Sequence, residues 1–278
     1  MNNPPPLTLQ GQWSTVSMQW NLLGAPLRPI EEDVCIIRDV VYSWTEACGR
    51  SPRALIMGVT PEYYDLPWPE HTTINAVDNN QAMIDHVWPG DVSQVKLDSW
   101  TTMDWPDNRF DIAMCDGGLQ LLDYPKSQQQ LVDRLFDIVE TGGLIVLRLF
   151  SLPREQETPE SVINALLSGE IQSMNCLKIR LGTAMQEDSE QGVRLGDIWQ
   201  YLFDNAGNWL VLSNKLGWSL DHVSAIDSYK SSPARYHFMS VEDVEALFCR
   251  DGKFTVKIIV YPSYNMGEQC PILVFEKS

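Results

Sequence analysis

The sequence is poor in positive charge: 20 Lys and Arg stand against 37 Asp and Glu, and no Lys/Arg cluster occurs. The formal net charge is -17. Such a surface repels phosphate backbones, so RNA and DNA are not expected partners. Cysteines are few and scattered. Cys35, Cys48, Cys115, Cys176, Cys249 and Cys270 include no CxxC pair and no Cys/His cluster. No metal site is therefore expected, and all six are expected to be reduced thiols. No apolar run approaches the ~18 residues of a membrane helix. The start, Met1-Asn2-Asn3-Pro4-Pro5-Pro6, lacks a basic segment followed by an apolar one. It reads as no signal peptide, which predicts a cytoplasmic protein with no membrane partner. There is no internal repeat.

What is present is a hydrophobic fraction of 44% in 278 residues, enough for a sizeable core. Residues 1–12 are polar and proline-rich and predict a loose tail. An apolar cluster, Trp13 to Leu23, follows. Glu31-Glu32-Asp33 opens a helix in which Val34, Ile37, Val41 and Trp44 recur at helical spacing, up to Gly49. Strand and helix signals then alternate. Strands are predicted at Arg53–Val59, Ile74–Val77, Val92–Leu97, Phe110–Cys115 and Leu144–Phe150. Helices are predicted at Asn80–Val87 and Lys126–Val139, the second ended by Gly142-Gly143. Apolar strands joined by helices imply a parallel sheet covered on both faces.

After the fifth strand the alternation breaks. Thr158-Pro159-Glu160 starts a helix, and helical patterns recur near Cys176–Met185 and Leu195–Leu212. This predicts a helical insertion over 151–238. Ser240 opens another helix, and Phe254–Tyr261 with Ile272–Phe275 form a closing hairpin at the sheet edge. The expected organisation is one domain over 1–278. N-terminal helices occupy 13–50, a core 53–150, the cover 151–238, and a C-terminal helix with the hairpin 239–278.

In open parallel sheets, ligands bind beyond the carboxyl ends of the strands where strand order reverses. Gly58-Val59-Thr60, Asp78-Asn79, Asp98-Ser99-Trp100 and Asp116-Gly117 follow four of the strands. Asp78, twenty residues after Gly58, is placed to accept both hydroxyls of a ribose or to cap the next helix. The stretch Asp98–Leu122 reads DSWTTMDWPDNRFDIAMCDGGLQLL. With its apolar-Pro-Asp turn at Trp105-Pro106-Asp107, the Phe110-Asp111 pair and the later Gly142-Gly143-Leu144-Ile145-Val146, it resembles the class I S-adenosylmethionine (SAM)-dependent methyltransferases, in a bacterial-type form. The resemblance covers roughly 53–150.

That resemblance implies a Rossmann-like fold, mostly parallel with an antiparallel strand at the C-terminal end, and SAM as cofactor. It implies that Gly58, Val59 and Thr60 approach the methionine part, that Asp78 and Asn79 hold the ribose, and that Asp98, Ser99 and Trp100 meet the adenine. Asp116 and Gly117 would line the path to the methyl group, with Asp116 the one candidate base. The chain departs from the family at the Gly-rich loop. Thr60 and Glu62 stand where the GxGxG pattern has its second and third glycines, and Ile56 stands where an acid is usual. Glu62 is placed to repel the carboxylate of SAM.

The implied activity is methyl transfer to a small-molecule acceptor. Two alternatives follow from the altered loop: an inactive, methyltransferase-like ligand-binding or interaction protein, and an aminopropyl-transferase-like enzyme using decarboxylated SAM, which lacks that carboxylate. Arg28, Arg148 and Arg235 are candidates for a substrate carboxylate, and Tyr63-Tyr64 for the cavity wall. His71, His86, His222 and His237 occur singly and read as packed or solvated residues.

Overall fold

The computed structural model describes residues 9–278; the Pro-rich start, 1–8, lies outside the described residues. The chain opens with α1 (Leu9–Met18) and α2 (Glu31–Cys48). It then builds β1 (Arg53–Met57), α3 (Pro61–Tyr64), β2 (Thr73–Asp78), α4 (Gln81–Val87), β3 (Val95–Leu97), β4 (Phe110–Asp116), α5 (Lys126–Ile138) and β5 (Val139–Arg148). The cover follows as α6 (Pro159–Ser168), α7 (Met174–Met185), β6 (Val193–Arg194), α8 (Leu195–Ala206), α9 (Trp209–Leu216), α10 (Leu220–Ser224) and β7 (Arg235–Tyr236). Last come α11 (Val241–Cys249), β8 (Phe254–Val260) and β9 (Ile272–Lys277).

The main sheet has the order β3-β2-β1-β4-β5-β9-β8. The first five strands run parallel; β9 pairs antiparallel with both β5 and β8. Successive strand residues face opposite ways. Leu55 and Met57 pack towards α5 and α11, whereas Ile56 packs towards α2 and α4. Around β1 and β4 both faces are dry, which is why those strands read as continuous apolar runs. The cover has its own core, built around Leu166, Leu177, Leu181, Leu195 and Leu202. β6 and β7 form a small separate antiparallel pair there that the sequence did not announce.

Local chemistry sets the helix ends. Asp33 Oδ2 accepts the Ile30 N–H (2.9 Å) at the start of α2, and Gly49 ends that helix with φ 65°. Thr158 caps α6 and Ser173 caps α7, each accepting the N–H three residues on.

Four expectations are corrected. The segment expected to be a loose tail is already helical from Leu9. The third strand is only Val95–Leu97, because Asp91 caps a short 3-10 turn at Val92–Gln94. The second strand starts one residue earlier and includes Asp78. Gly142-Gly143 do not end a helix but sit inside β5. The register jumps from Phe110↔Val139 to Ile112↔Leu144, so residues 140–143 bulge opposite Asp111 alone. Gly142 has φ +75°, and a Cβ on Gly143 would stand 2.7 Å from the Asp111 carbonyl oxygen. Glycine is required there by the bulge, not by a helix stop.

Candidate functional site

Strand order reverses between β1 and β4, and a cavity of about 210 Å³ opens beyond their carboxyl ends. Its floor is the sheet edge. Its roof comes from α1 and from the cover. Gly58, Val59, Thr60, Asp78, Asn79, Ser99, Trp100, Asp116 and Gly117 all line it. Gly58 turns the chain with φ +89° while its N–H bonds the Val77 carbonyl (2.8 Å). That conformation suits glycine alone and lays bare backbone against the cavity.

Asp98 is not part of the lining. Its carboxylate accepts the Ser99 N–H (2.8 Å) and the Asp104 N–H (3.1 Å), so it holds the loop that presents Ser99 and Trp100. Trp100 is half-buried, donates its indole N–H to the Val77 carbonyl (3.0 Å) and packs over Gly58 and Gly118. It is both a packing residue and a wall.

Two acids on the floor are unusual. Asp78 is 8% exposed, and Oδ1 accepts the Asn80 N–H (2.8 Å). Burial outweighs that bond and pushes its carboxyl up to about 6. Asp116 Oδ1 is paired with Arg148 Nη1 at 2.7 Å, yet burial still pushes this carboxyl up to about 6 as well. No hydrogen bond within the described residues occupies Asp116 Oδ2.

The sequence candidates for anion binding separate. Arg148 is buried, held by Asp116, Asp33, the Pro26 carbonyl and Tyr264. Arg28 Nε bonds Glu62 Oε1 (2.7 Å) beside the Gly58 loop. The Glu62 charge is therefore matched, which removes the repulsion that set it against a ligand carboxylate. Arg235 does line the cavity at its exposed rim, with Nη1 on the Gln191 carbonyl (2.8 Å). Tyr63 and Tyr64 are not in the wall: Tyr63 is buried behind it, and Tyr64 packs edge-on to Trp88. His237 binds the Ser189 carbonyl (2.9 Å) in the packed interior, and His71, His86 and His222 are exposed. Among the described residues no group of three or more His, Cys, Asp or Glu is placed to hold a metal ion. No helix among them is long and apolar enough to cross a membrane.

Gln12, Lys178 and Tyr229 in the roof, and Gln120 in the turn after β4, line the cavity without having been singled out by the sequence; Trp13, Trp20, Tyr236 and Phe238 join them. Lys178 lies on α7, a helix buried on nearly all sides. It is 6% exposed, and no hydrogen bond or ion pair within the described residues engages it. Its ammonium stands 5.3 Å from the Tyr229 ring centroid. Desolvation alone lowers it from 10.5 to about 8. A base lowered by folding destabilises the protein below its folded pKa, and the penalty fades between pH 8 and 10.5. Lys178→Met is thus expected to raise stability by about 3 kcal/mol at pH 7. Urea unfolding should show this gain shrinking towards zero at pH 10.5.

No family model and no curated protein matches the sequence. Solved structures do. A Rhodobacter sphaeroides protein described as a zinc-dependent alcohol dehydrogenase superposes with TM-score 0.61 at 12% identity, over 97% of this chain and 98% of that one. A Pyrococcus horikoshii protein gives 0.53 at 11% identity, over 94% and 99%. The CcbJ methyltransferase of Streptomyces caelestis gives 0.52 at 11% identity, over 98% of each chain. The strand order, with its single inserted antiparallel strand β9, and this last match agree. The chain has the class I SAM-dependent methyltransferase fold. In that fold the cavity beyond β1, β2 and β4 lies at the sheet's switch point, and α1 with the cover closes over it. At these identities the shared architecture extends to the backbone alone.

Proposed function

We propose that the protein is a SAM-dependent methyltransferase acting on a small-molecule acceptor. The observation that carries this reading is the Asp78 carboxylate. It is buried at the end of β2, aimed into the cavity and bonded by no side chain among the described residues. Desolvating a carboxylate is costly unless a ligand compensates; ribose hydroxyls are suitable donors.

The residues present fit the cofactor. Gly58 offers bare backbone, Asp78 an acceptor pair, and Ser99 and Trp100 a polar edge beside an aromatic wall for a purine. Asp98 acts behind them by fixing their loop. The Arg28–Glu62 pair leaves no unmatched negative charge at the altered loop, which takes away the support for the aminopropyl-transfer reading. SAM when bound supplies an electrophilic methyl group on a sulfonium. Trp13, Trp20, Leu27 and Phe150 exclude water from that region, and orientation in a dry site is the main source of acceleration for such a displacement. For an acceptor that must lose a proton, Asp116 Oδ2 is the atom placed to hold it.

Calorimetric titration with S-adenosylhomocysteine tests the reading. Micromolar affinity, about -8 kcal/mol, is expected, with a loss of at least about 30-fold in Asp78→Ala. Affinity should also fall as pH drops through about 6, where Asp78 gains a proton. The Asp78→Asn protein should lose that part of the pH dependence. Absence of binding to the intact protein, or full affinity in Asp78→Ala, would overturn the assignment.

A further inference from the structure

The cavity is electrically polarised. Its sheet side carries Asp78 and Asp116; its cover side carries Lys178, with Arg235 at the rim. Trp20 contributes its ring to the same lining. A buried cation without a counter-ion is costly to maintain, in a chain where acids outnumber bases 37 to 20. Around Lys178 the wall is aromatic. Tyr236 stacks edge-on between Tyr229 and Phe238, with centroids 6.2 and 6.0 Å apart.

Resting on the methyltransferase reading, we propose that the acceptor is an aromatic carboxylic acid whose carboxylate is bound by Lys178. Its ring would lie against Tyr229, Tyr236 and Phe238, where a flat apolar group meets pre-ordered aromatic faces. The carboxylate would supply the counter-charge that Lys178 lacks. The cationic part of SAM and the acid would then occupy opposite ends of the cavity, each facing charge of the other sign. Lys178 on this account is a specificity residue that binds the acceptor away from the transferred methyl.

The test is a binding titration of benzoate, 4-hydroxybenzoate and indole-3-acetate against their matched amides, with and without S-adenosylhomocysteine. At least one acid is expected to bind ten-fold or more tighter than its amide. Lys178→Met should erase that preference by weakening the acid alone, while S-adenosylhomocysteine affinity stays unchanged, and Lys178→Arg should restore part of it. Acid affinity should hold up to about pH 8 and weaken above it, as the ammonium loses its proton. The facing hydroxyls of Tyr229 and Tyr236 remain neutral there, because burial raises both, that of Tyr236 to about 12. Equal affinity for acids and amides, including no measurable affinity for either, would overturn the proposal, as would acid binding that survives Lys178→Met. The S-adenosylhomocysteine titration reads the cofactor assignment separately, so either conclusion can fail alone.

Discussion

Replacing Arg148 by Met is expected to cost about 5 kcal/mol of folding stability, the upper end for breaking a buried ion network. The guanidinium is 1% exposed, donates hydrogen bonds to three separate groups and is ion-paired with a fourth. Nη1 donates to Asp116 Oδ1 (2.7 Å), and Nη2 to the Pro26 carbonyl (2.6 Å) and the Tyr264 hydroxyl (3.1 Å). Nε lies 3.2 Å from Asp33 Oδ2. Methionine fills much of the volume but leaves two buried carboxylates facing one another without a cation. Equilibrium urea unfolding at pH 7 measures the loss. The Arg148→Met/Asp33→Asn double variant should be markedly less damaged than the sum of the single ones, because it removes one stranded charge. Strict additivity would show that packing, not charge, dominates. The same substitution should raise the Asp116 carboxyl further, since Arg148 is the group holding it down.

The second large effect is expected at the opposite end of the sheet. Asp111 is 0% exposed and accepts five N–H donors: two each from the Arg50 and Arg53 guanidinia, and the Arg53 backbone N–H, all at 2.7–2.8 Å. These bonds hold its carboxyl well below the usual range despite burial. Asp111→Ala should cost about 3–5 kcal/mol. A carboxyl depressed by folding adds stability that is complete above its unfolded pKa and is lost as pH falls towards the folded one. The gap between wild type and variant should therefore be flat from pH 7 to roughly pH 4.5 and narrow below it. A gap that stays constant to pH 3 would mean that the ion cluster contributes little.

The fold was legible because each buried strand is a continuous apolar run and each is separated from the next by turn residues. The floor of the cavity was legible for a related reason: its residues follow directly after those strands, so position in the sequence encodes position in space. Asp98 was misplaced by the same logic. It does follow β3, but its side chain turns to its own loop, and neighbouring backbone donors settled that rather than sequence position. The glycine pair at 142–143 carried a local stop signal, whereas its actual role depends on Asp111, a partner thirty residues away. The roof was the least legible. Nothing distinguishes Lys178 from a surface lysine until α7 is buried by elements on every side. Trp20, Tyr229 and Tyr236 line one cavity only because the N-terminal segment and the cover converge.

That convergence has a consequence for the order of events during synthesis. The buried Gln12 side chain of α1 accepts a hydrogen bond from the Ser232 hydroxyl at 2.7 Å, across 220 positions of chain. That bond cannot form until residue 232 has been made, on the order of ten to forty seconds after residue 12 at ordinary elongation rates. Throughout that interval the nascent sheet can assemble its floor while the roof stays unfastened. The cavity becomes enclosed only after residue 232 has emerged, so a chain stalled before that point would carry an open, uncovered site.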